Sequence, residues 1–337
     1  MRVCVVVLNW NGWSDTLECL DSVFRGDHPD FRVVVCDNDS EDDSLARFAA
    51  WAEGREDAPA PPESPLRSDG PFPLPRPLPY AEYDRAAAER GGDPALDPPL
   101  VLVRTGGNLG FAGGNNVGLR YALARGGFDY VWVLNNDTVV RPDALRLMLE
   151  AAARDPEVGI VGSTLVYYHA PDTVQAWGGA RYNRWLAIGR HLGNHQPADA
   201  PVDAGEVCAR MAYVTGASML VSRAFLEEVG LMNEEYFLYF EEVDWASRAR
   251  GRFKMGYAPR SVVYHKEGGS IGSGERDAVK SWTADYHFVR NRILFTRRFN
   301  PVALPTVYLA LVVAALRRAR RGEWDRVRMV ARLCWST

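Results

Sequence analysis

The sequence predicts an α/β fold, a mostly parallel sheet flanked by helices, and three observations support it. Largely apolar runs at residues 3–8, 31–36 and 131–134 stop abruptly at polar residues, as strands buried on both faces of a parallel sheet do. Between the strands the sequence carries a helical period instead, so strand and helix alternate along the chain. At 337 residues, 47% apolar and 24% charged, the chain has the composition of an ordinary globular protein and the length for one large core or two modest ones.

Taken in order, the first strand (3–8) empties into Asn9-Trp10-Asn11-Gly12. Ser14 is placed to cap the next helix, whose Leu17, Leu20, Val23 and Phe24 share one face. The second strand (31–36) empties into Asp37-Asn38-Asp39-Ser40, and Asp43 or Ser44 opens a helix through Trp51. Residues 53–99 break the pattern. They hold 12 of the 21 prolines and no sustained apolar period, which predicts a Pro-rich surface insertion, extended or disordered, with no chemistry of its own.

The sheet resumes at 100–104 and is followed by a glycine-rich stretch, Asn108-Leu109-Gly110-Phe111-Ala112-Gly113-Gly114-Asn115-Asn116, which feeds a helix over 116–124. Glycines let a backbone approach a ligand closely, and a helix N-terminus favours phosphate. No Gly-Lys-Ser/Thr follows, so this is not a Walker A loop, and its place after the third strand makes a poor dinucleotide fingerprint. A plain loop is the competing reading. The strand at 131–134 then runs into Asn135-Asn136-Asp137-Thr138, Pro142 starts a helix, and 158–162 is another strand. In open α/β sheets, ligands bind in the crevice beyond the carboxyl ends of the strands. Asn135 and Asp137 stand at that edge, where two oxygen-bearing side chains can hold a hard divalent cation if phosphates supply the rest. An ordinary Asn/Asp turn is the alternative.

Over 164–212 short strand-like pieces alternate with aromatics such as Trp177, Tyr182 and Trp185, as a substrate-facing region would. Residues 216–221 are strand-like again. From Glu241 to Arg250 the period is helical, which puts Glu241 and Glu242 in a first turn, where the helix dipole favours negative charge. Capping electrostatics and catalysis both fit these carboxylates. A strand pair, 253–258 and 261–264, ends at His265, ahead of a Gly/Ser-rich loop (268–274) with the makings of a mobile lid.

The tail is helical and basic. Residues 302–316 are nearly all apolar and are closed by Arg317-Arg318-Ala319-Arg320-Arg321. That run is short of the roughly 20 residues needed to span a bilayer. It reads either as a helix lying against an anionic leaflet or as a core helix with a basic end. From Lys280 onward 12 Lys and Arg face 3 Asp and Glu, although the whole chain carries −4. An acidic body thus bears a basic tail. No stacking platform accompanies it, so nucleic acid is not an expected partner. The five cysteines show no CxxC spacing, and Met1-Arg2 leads straight into a strand. Both point to reduced thiols in a cytoplasmic protein, peripheral on the inner face of the membrane if the tail binds lipid.

Four motifs in a fixed order carry a family resemblance: Val7-Leu8-Asn9-Trp10-Asn11-Gly12; Val35-Cys36-Asp37-Asn38 with Ser40 and Asp42; the run from Asn108 to Asn116; and Leu134-Asn135-Asn136-Asp137. A fifth, Phe240-Glu241-Glu242-Val243-Asp244, is followed by Tyr264-His265. Together they resemble the family 2 glycosyltransferases with the GT-A fold, and within them the bacterial rhamnosyltransferase-like members. The resemblance spans residues 2–52 and 100–300. It implies a GT-A domain over 1–52 and 100–275, interrupted by the insertion at 53–99 and followed by a helical extension over 276–337.

The resemblance also implies roles. Asp37, with Asn38 beside it, looks like the carboxylate that receives the nucleotide base, and Asn9 lies in the loop that lines the nucleoside pocket. Asn108, Gly110 and Asn116 would approach the base and pyrophosphate. Asn135-Asn136-Asp137 stands where the family has Asp-x-Asp, with Asp137 as the cation ligand, Asn136 on the donor side and His265 as a second protein ligand. An imidazole ligand is softer than Mg²⁺ prefers and leaves room for Mn²⁺. The family's base is the second residue of a Glu-Asp pair, and here that position is Glu242. Glutamate is one methylene longer, so Asp244 is a fallback, although an i,i+4 pair with Arg248 suits it equally well. The expected reaction is inverting transfer of a sugar, with dTDP-L-rhamnose the leading donor, to a polysaccharide or lipid-linked acceptor. A silent nucleotide-sugar-binding scaffold is the rival reading. A nucleotidyltransferase is disfavoured because the loop after the first strand lacks basic residues.

Overall fold

A computed structural model of the chain describes residues 1–59, 61–65, 74, 76–266 and 281–336. The first half runs β1 (Val3–Asn9), α1 (Trp13–Phe24), β2 (Phe31–Asp37), α2 (Ser44–Ala52), β3 (Tyr80–Asp84), α3 (Arg85–Glu89), β4 (Leu100–Arg104), α4 (Gly110–Arg125), β5 (Tyr130–Asn135), β6 (Thr138–Val140) and α5 (Ala144–Ala152). It continues with β7 (Val158–Tyr167), β8 (Ala170–Trp177), β9 (Gly179–Asn183), β10 (Ile188–His191), α6 (Ala204–Arg210), β11 (Tyr213–Val214), β12 (Ser218–Ser222) and α7 (Arg223–Val229). The chain closes with α8 (Glu241–Ala249), β13 (Lys254–His265), α9 (Trp282–Phe299), α10 (Leu304–Arg320) and α11 (Trp324–Ser336).

One ten-stranded sheet organises the fold, in the order β3-β4-β2-β1-β5-β12-β7-β13-β6 with β8 paired to β7. From β3 to β5 every pairing is parallel, whereas β12 is antiparallel to both β5 and β7. The apolar runs are continuous because both faces are covered. Val3, Val5 and Val7 of β1 enter one core with Leu17 and Leu20 of α1, while Cys4 and Val6 enter the other with Val117 and Leu119 of α4. In register, Asn9 of β1 faces Asp37 of β2, and Leu8 faces Asn135 of β5. Three polar strand ends are thereby set side by side along one carboxyl edge.

The structure departs from the sequence expectations in several places, beginning with α1, which starts at Trp13 with no side-chain cap from Ser14. Residues Tyr80–Asp84 of the Pro-rich segment are a parallel edge strand paired with β4, and Leu78 is buried in the core, so this part of the insertion belongs to the sheet. Helix α4 starts at Gly110 rather than near residue 116. Side chains at Gly114 and Gly118 would collide with Leu8 and Val6 of β1, so these glycines let the helix lie close on the strand. Each costs roughly 1 kcal/mol of helix propensity against alanine, a loss that the tight packing offsets. The two strands expected at 253–258 and 261–264 are one strand, β13, with an irregularity between Ala258 and Val262. The aromatic stretch after β7 builds a small antiparallel sheet, β10-β9-β11. The glycine-rich loop at 268–274 lies outside the described residues.

The C-terminal helices form their own core, where Val289 and Ile293 of α9 meet Val307 and Leu311 of α10 and Met329, Val330 and Leu333 of α11. Buried Asp285 of α9 ties the three together, pairing with Arg318 at 2.5 Å and Arg326 at 2.9 Å. The opposite face of α10 stays open: Leu309, Val312, Val313 and Leu316 are all exposed. The segment Pro301–Arg320 is long and apolar enough to cross a membrane, with a mean hydropathy of 1.6 and 17% of it buried.

Candidate active site

The candidate site follows the carboxyl edge of the sheet. At its β1–β2 end, Asp37 is nearly buried and accepts hydrogen bonds from Asn9 Nδ2 at 2.8 Å, Ser40 Oγ at 2.7 Å and the Ser40 N–H at 3.1 Å. Asn9 is wholly buried, and its Oδ1 accepts from Thr16 Oγ1 at 2.7 Å. Its amide is therefore spent on orienting Asp37. Thr16 Oγ1 in turn accepts from Asn136 Nδ2 at 3.0 Å. A buried relay thus runs from Asp37 through Asn9 and Thr16 to the β5 turn.

Asn38 shapes the adjoining loop. Its Oδ1 accepts from the Leu109 N–H at 3.0 Å, and its Nδ2 donates to Asn108 Oδ1 at 3.0 Å and to the Gly110 carbonyl at 3.3 Å. Gly110 has φ +71°, and a side chain there would collide with the carbonyl and ring of Phe237. Asn116 lies deeper in α4, and its side chain is engaged by the segment before α8. It donates to the Met232 carbonyl and Glu234 Oε1, both at 2.9 Å, and accepts from the Met232 N–H at 3.1 Å. Its side chain is held as a clamp on the segment leading to α8.

At the β5 end, Asp137 and His265 come together although 128 positions separate them in sequence. The pairing of β6 with β13 sets His265 opposite Thr138, and Asp137 Oδ1 lies 3.2 Å from His265 Nε2. On the other side of the ring, His265 Nδ1 sits 2.9 Å from Oε1 of the buried Gln175 of β8. An Nδ1–H donating to that carbonyl leaves the Nε2 lone pair aimed at the Asp137 side. Burial alone would push the Asp137 carboxyl up; when His265 carries a proton on Nε2 as well, its charge and hydrogen bond, and more weakly Lys266, outweigh burial and hold the carboxyl below the usual range. The Lys266 ammonium is gripped by Asp15 and Glu18 at 2.6 Å each, and the Lys266 backbone N–H donates to the Asp137 carbonyl at 2.9 Å. Asn135 contributes mainly backbone, its carbonyl accepting from Thr138 Oγ1 at 2.7 Å.

The family implies a divalent cation, and the residues present fit one. Two adjacent ligands on an octahedral ion with bonds of about 2.1 Å lie about 3.0 Å apart, close to the observed Asp137–His265 separation of 3.2 Å. Among the described residues no group of three or more His, Cys, Asp or Glu side chains converges for a metal, at this site or any other. A two-ligand protein site suits an ion whose remaining ligands come from diphosphate and water.

The carboxylates of α8 divide. Asp244 is wholly buried and committed to structure, bonded to Arg248 Nε at 2.6 Å and accepting from the Tyr236 hydroxyl at 3.2 Å. Glu242 lies against Gly216, whose N–H hydrogen-bonds its carboxylate, and a side chain at Gly216 would collide with Glu242 Oε1. The next residue, Ala217, accepts the Asn135 N–H at 3.0 Å, so Glu242 is anchored one residue from the β5 end. Burial pushes the Glu242 carboxyl up. Its neighbour Glu241 is pushed well above the usual range, first by burial and then by Glu242, and its Oε1 is buried without a hydrogen-bond partner. Sequence reasoning did not single out Thr16, Gln175, Gly216 or Lys266. Only Lys266, next to His265, carried a visible signal.

Known proteins resemble this chain in sequence and in fold. Residues 98–278 match the glycosyltransferase like family 2, and residues 4–58 match glycosyl transferase family 2. A low-salt glycan biosynthesis hexosyltransferase of Haloferax volcanii is 27% identical over 152 residues, 45% of this chain and 46% of its own. An N-acetylglucosaminyl-diphospho-decaprenol L-rhamnosyltransferase of Mycobacterium tuberculosis is 26% identical over 198 residues, 52% of this chain and 61% of its own. The chain therefore matches between about half and three fifths of these relatives' lengths. A mannosyltransferase of Pyrobaculum calidifontis, solved with GDP-Man and Mn²⁺, superposes with a TM-score of 0.50 at 17% identity, covering 98% of this chain and 84% of that one. The chain belongs to glycosyltransferase family 2 and has the GT-A fold.

Proposed function

We propose that the protein is an inverting, cation-dependent glycosyltransferase that moves a sugar from a nucleoside diphosphate to a hydroxyl of a lipid-linked or polysaccharide acceptor. L-Rhamnose from dTDP-L-rhamnose is the favoured donor, supported by the mycobacterial relative. The observation that carries the reading is the approach of Asp137 and His265 to 3.2 Å at the carboxyl edge of the sheet, with Glu242 held against Gly216, next to the residue bonded to the end of β5, and Asp37 at the end of β2.

In this reading Asp37, held rigid by Asn9 and Ser40, receives the base, and the loop shaped by Asn38 and Asn108 faces the nucleoside and pyrophosphate. Asp137 and His265 hold the cation, with Gln175 fixing the imidazole tautomer. When bound, the ion offsets the negative charge that develops on the leaving diphosphate. Glu242 takes the proton of the acceptor hydroxyl. That oxygen forms a bond to the anomeric carbon from the face opposite the diphosphate, the bond to the diphosphate oxygen breaks, and the nucleoside diphosphate leaves with the bonding pair. A raised Glu242 carboxyl is a better proton acceptor than an ordinary one.

The basic, apolar C-terminal helix supports a cytoplasmic enzyme docked on an anionic membrane leaflet, where a lipid-linked acceptor would be met. The substitutions at Asn135 and Glu242 favour the rival reading, a silent sugar-nucleotide-binding scaffold. Transfer from dTDP-L-rhamnose to a short-chain prenyl-diphospho-N-acetylglucosamine, with the product anomer read by NMR, tests the proposal. The expected results are an inverted product and loss of transfer in Glu242→Gln with donor binding intact. Transfer unchanged in Glu242→Gln would remove this residue as base, and no transfer from dTDP-, UDP- or GDP-sugars would favour the scaffold.

A further inference from the structure

The turn that delivers the α8 carboxylates is held from outside the sheet domain. In residues 236–240 three aromatic residues adopt left-handed backbone: Phe237 (φ 62°), Tyr239 (φ 68°) and Phe240 (φ 79°). Residues with a Cβ rarely occupy that region, and a run of them persists only where surrounding structure enforces it. The enforcing group is Asn291 of α9, wholly buried, whose Nδ2 donates to the carbonyls of Tyr236 at 2.7 Å, Leu238 at 2.8 Å and Tyr239 at 3.1 Å. Its Oδ1 accepts from Arg290 Nη1 at 2.8 Å, and the same Arg290 nitrogen donates to the Glu235 carbonyl at 2.9 Å. Phe288 and Phe295 of α9 flank Phe240, with ring centroids 6.0 and 5.6 Å away.

Both ends of this turn lead into the site. Phe240 immediately precedes Glu241, and its carbonyl accepts the Asp244 N–H at 2.9 Å, closing the first turn of α8. The Phe237 carbonyl accepts the Phe111 N–H at 2.6 Å, beside Gly110 in the donor loop. We propose that Asn291 is a positioning residue: it locks the 236–240 turn and thereby fixes the Glu242 carboxylate against Gly216. The C-terminal helical region is then a working part of the transferase centre. The proposal rests on Glu242 being the base, and it predicts that Asn291 acts through Glu242.

The test uses the full chain. In Asn291→Ala, amide hydrogen exchange over residues 237–244 is expected to quicken at least tenfold while the sheet stays protected. Donor affinity for dTDP-L-rhamnose with Mn²⁺ should stay within about threefold, and kcat should fall by about 10–100-fold. In the Glu242→Gln background, Asn291→Ala should add no further loss, as expected for two residues acting in series. Should the alanine variant fail to fold, Asn291→Asp keeps the shape, sets an acceptor against three carbonyls, and is held to the same expectations. Unchanged exchange over 237–244, a wild-type kcat, or a full independent loss in the double variant overturns the proposal. Wild-type kcat in Glu242→Gln alone would instead overturn the base assignment, a separate outcome.

Discussion

Gln175 and His265 meet through a single hydrogen bond of 2.9 Å, and that bond decides which imidazole nitrogen faces Asp137. A leucine at 175 would remove that constraint on the ring's orientation and tautomer. Gln175→Leu is therefore predicted to weaken Mn²⁺-dependent donor binding by about 10–100-fold, the usual effect of losing such an outer partner. Calorimetric titration of Mn²⁺ and donor checks this, and unchanged affinity would mean that His265 is not a ligand.

The Glu242 carboxylate depends on the absence of a side chain at Gly216, where a Cβ would collide with Oε1. Because the obstacle is the end of a flexible side chain, Gly216→Ala should fold normally with its carboxylate pushed aside. The prediction is a fall in kcat of about 10–100-fold with KM for donor nearly constant. Steady-state kinetics with a melting curve on the same sample decide it; normal turnover would show that Glu242 needs no fixed position.

Glu241 makes a prediction about pH and stability. Its carboxyl is raised well above the ordinary range by burial and by Glu242. A raised acid group favours the folded state at low pH, and that contribution is lost as pH rises from about 4.3, the unfolded value, toward the folded one. Glutamine cannot ionise, so Glu241→Gln should melt higher than wild type at pH 8 by roughly 1–2 °C, equivalent to about 1 kcal/mol. The two curves should converge near pH 4. A difference that ignores pH would place the strain elsewhere.

The outer face of α10 makes a prediction about the surface. Leu309, Val312, Val313 and Leu316 are exposed beside Arg317 and Arg320, whereas Arg318 is turned inward to Asp285. Wild type should sediment with anionic phosphatidylglycerol vesicles at low salt and be released at high salt. Leu309→Glu with Val313→Glu should abolish this without changing donor affinity. Sedimentation of the double variant equal to wild type would discard the docking face.

Much of this architecture was legible in the sequence where a single physical signal dominated. Residues 3–8, 31–36 and 131–134 read as strands because burial on both faces leaves them largely apolar, and Asn9, Asp37 and Asn135 mark where the apolar runs end. The start of α4 was hidden because glycines that signal a loop here serve close packing on β1. The edge strand Tyr80–Asp84 was hidden by its prolines and by half-exposed side chains that lack an apolar run. Gln175 and Asn291 carried no local mark, since their partners lie 90 and 52–55 residues away in the chain.

The central claim is that Asp137 and His265 serve a nucleotide-sugar site through a shared cation. Its most direct test is calorimetric binding of dTDP-, UDP- and GDP-sugars to wild type and Asp137→Ala, each with and without Mn²⁺. The account predicts tight binding of one nucleotide only when Mn²⁺ is present, weakened by at least about tenfold in Asp137→Ala. Equally tight binding without metal, or binding untouched by Asp137→Ala, would contradict it and return Asn135-Asn136-Asp137 to the status of a structural turn.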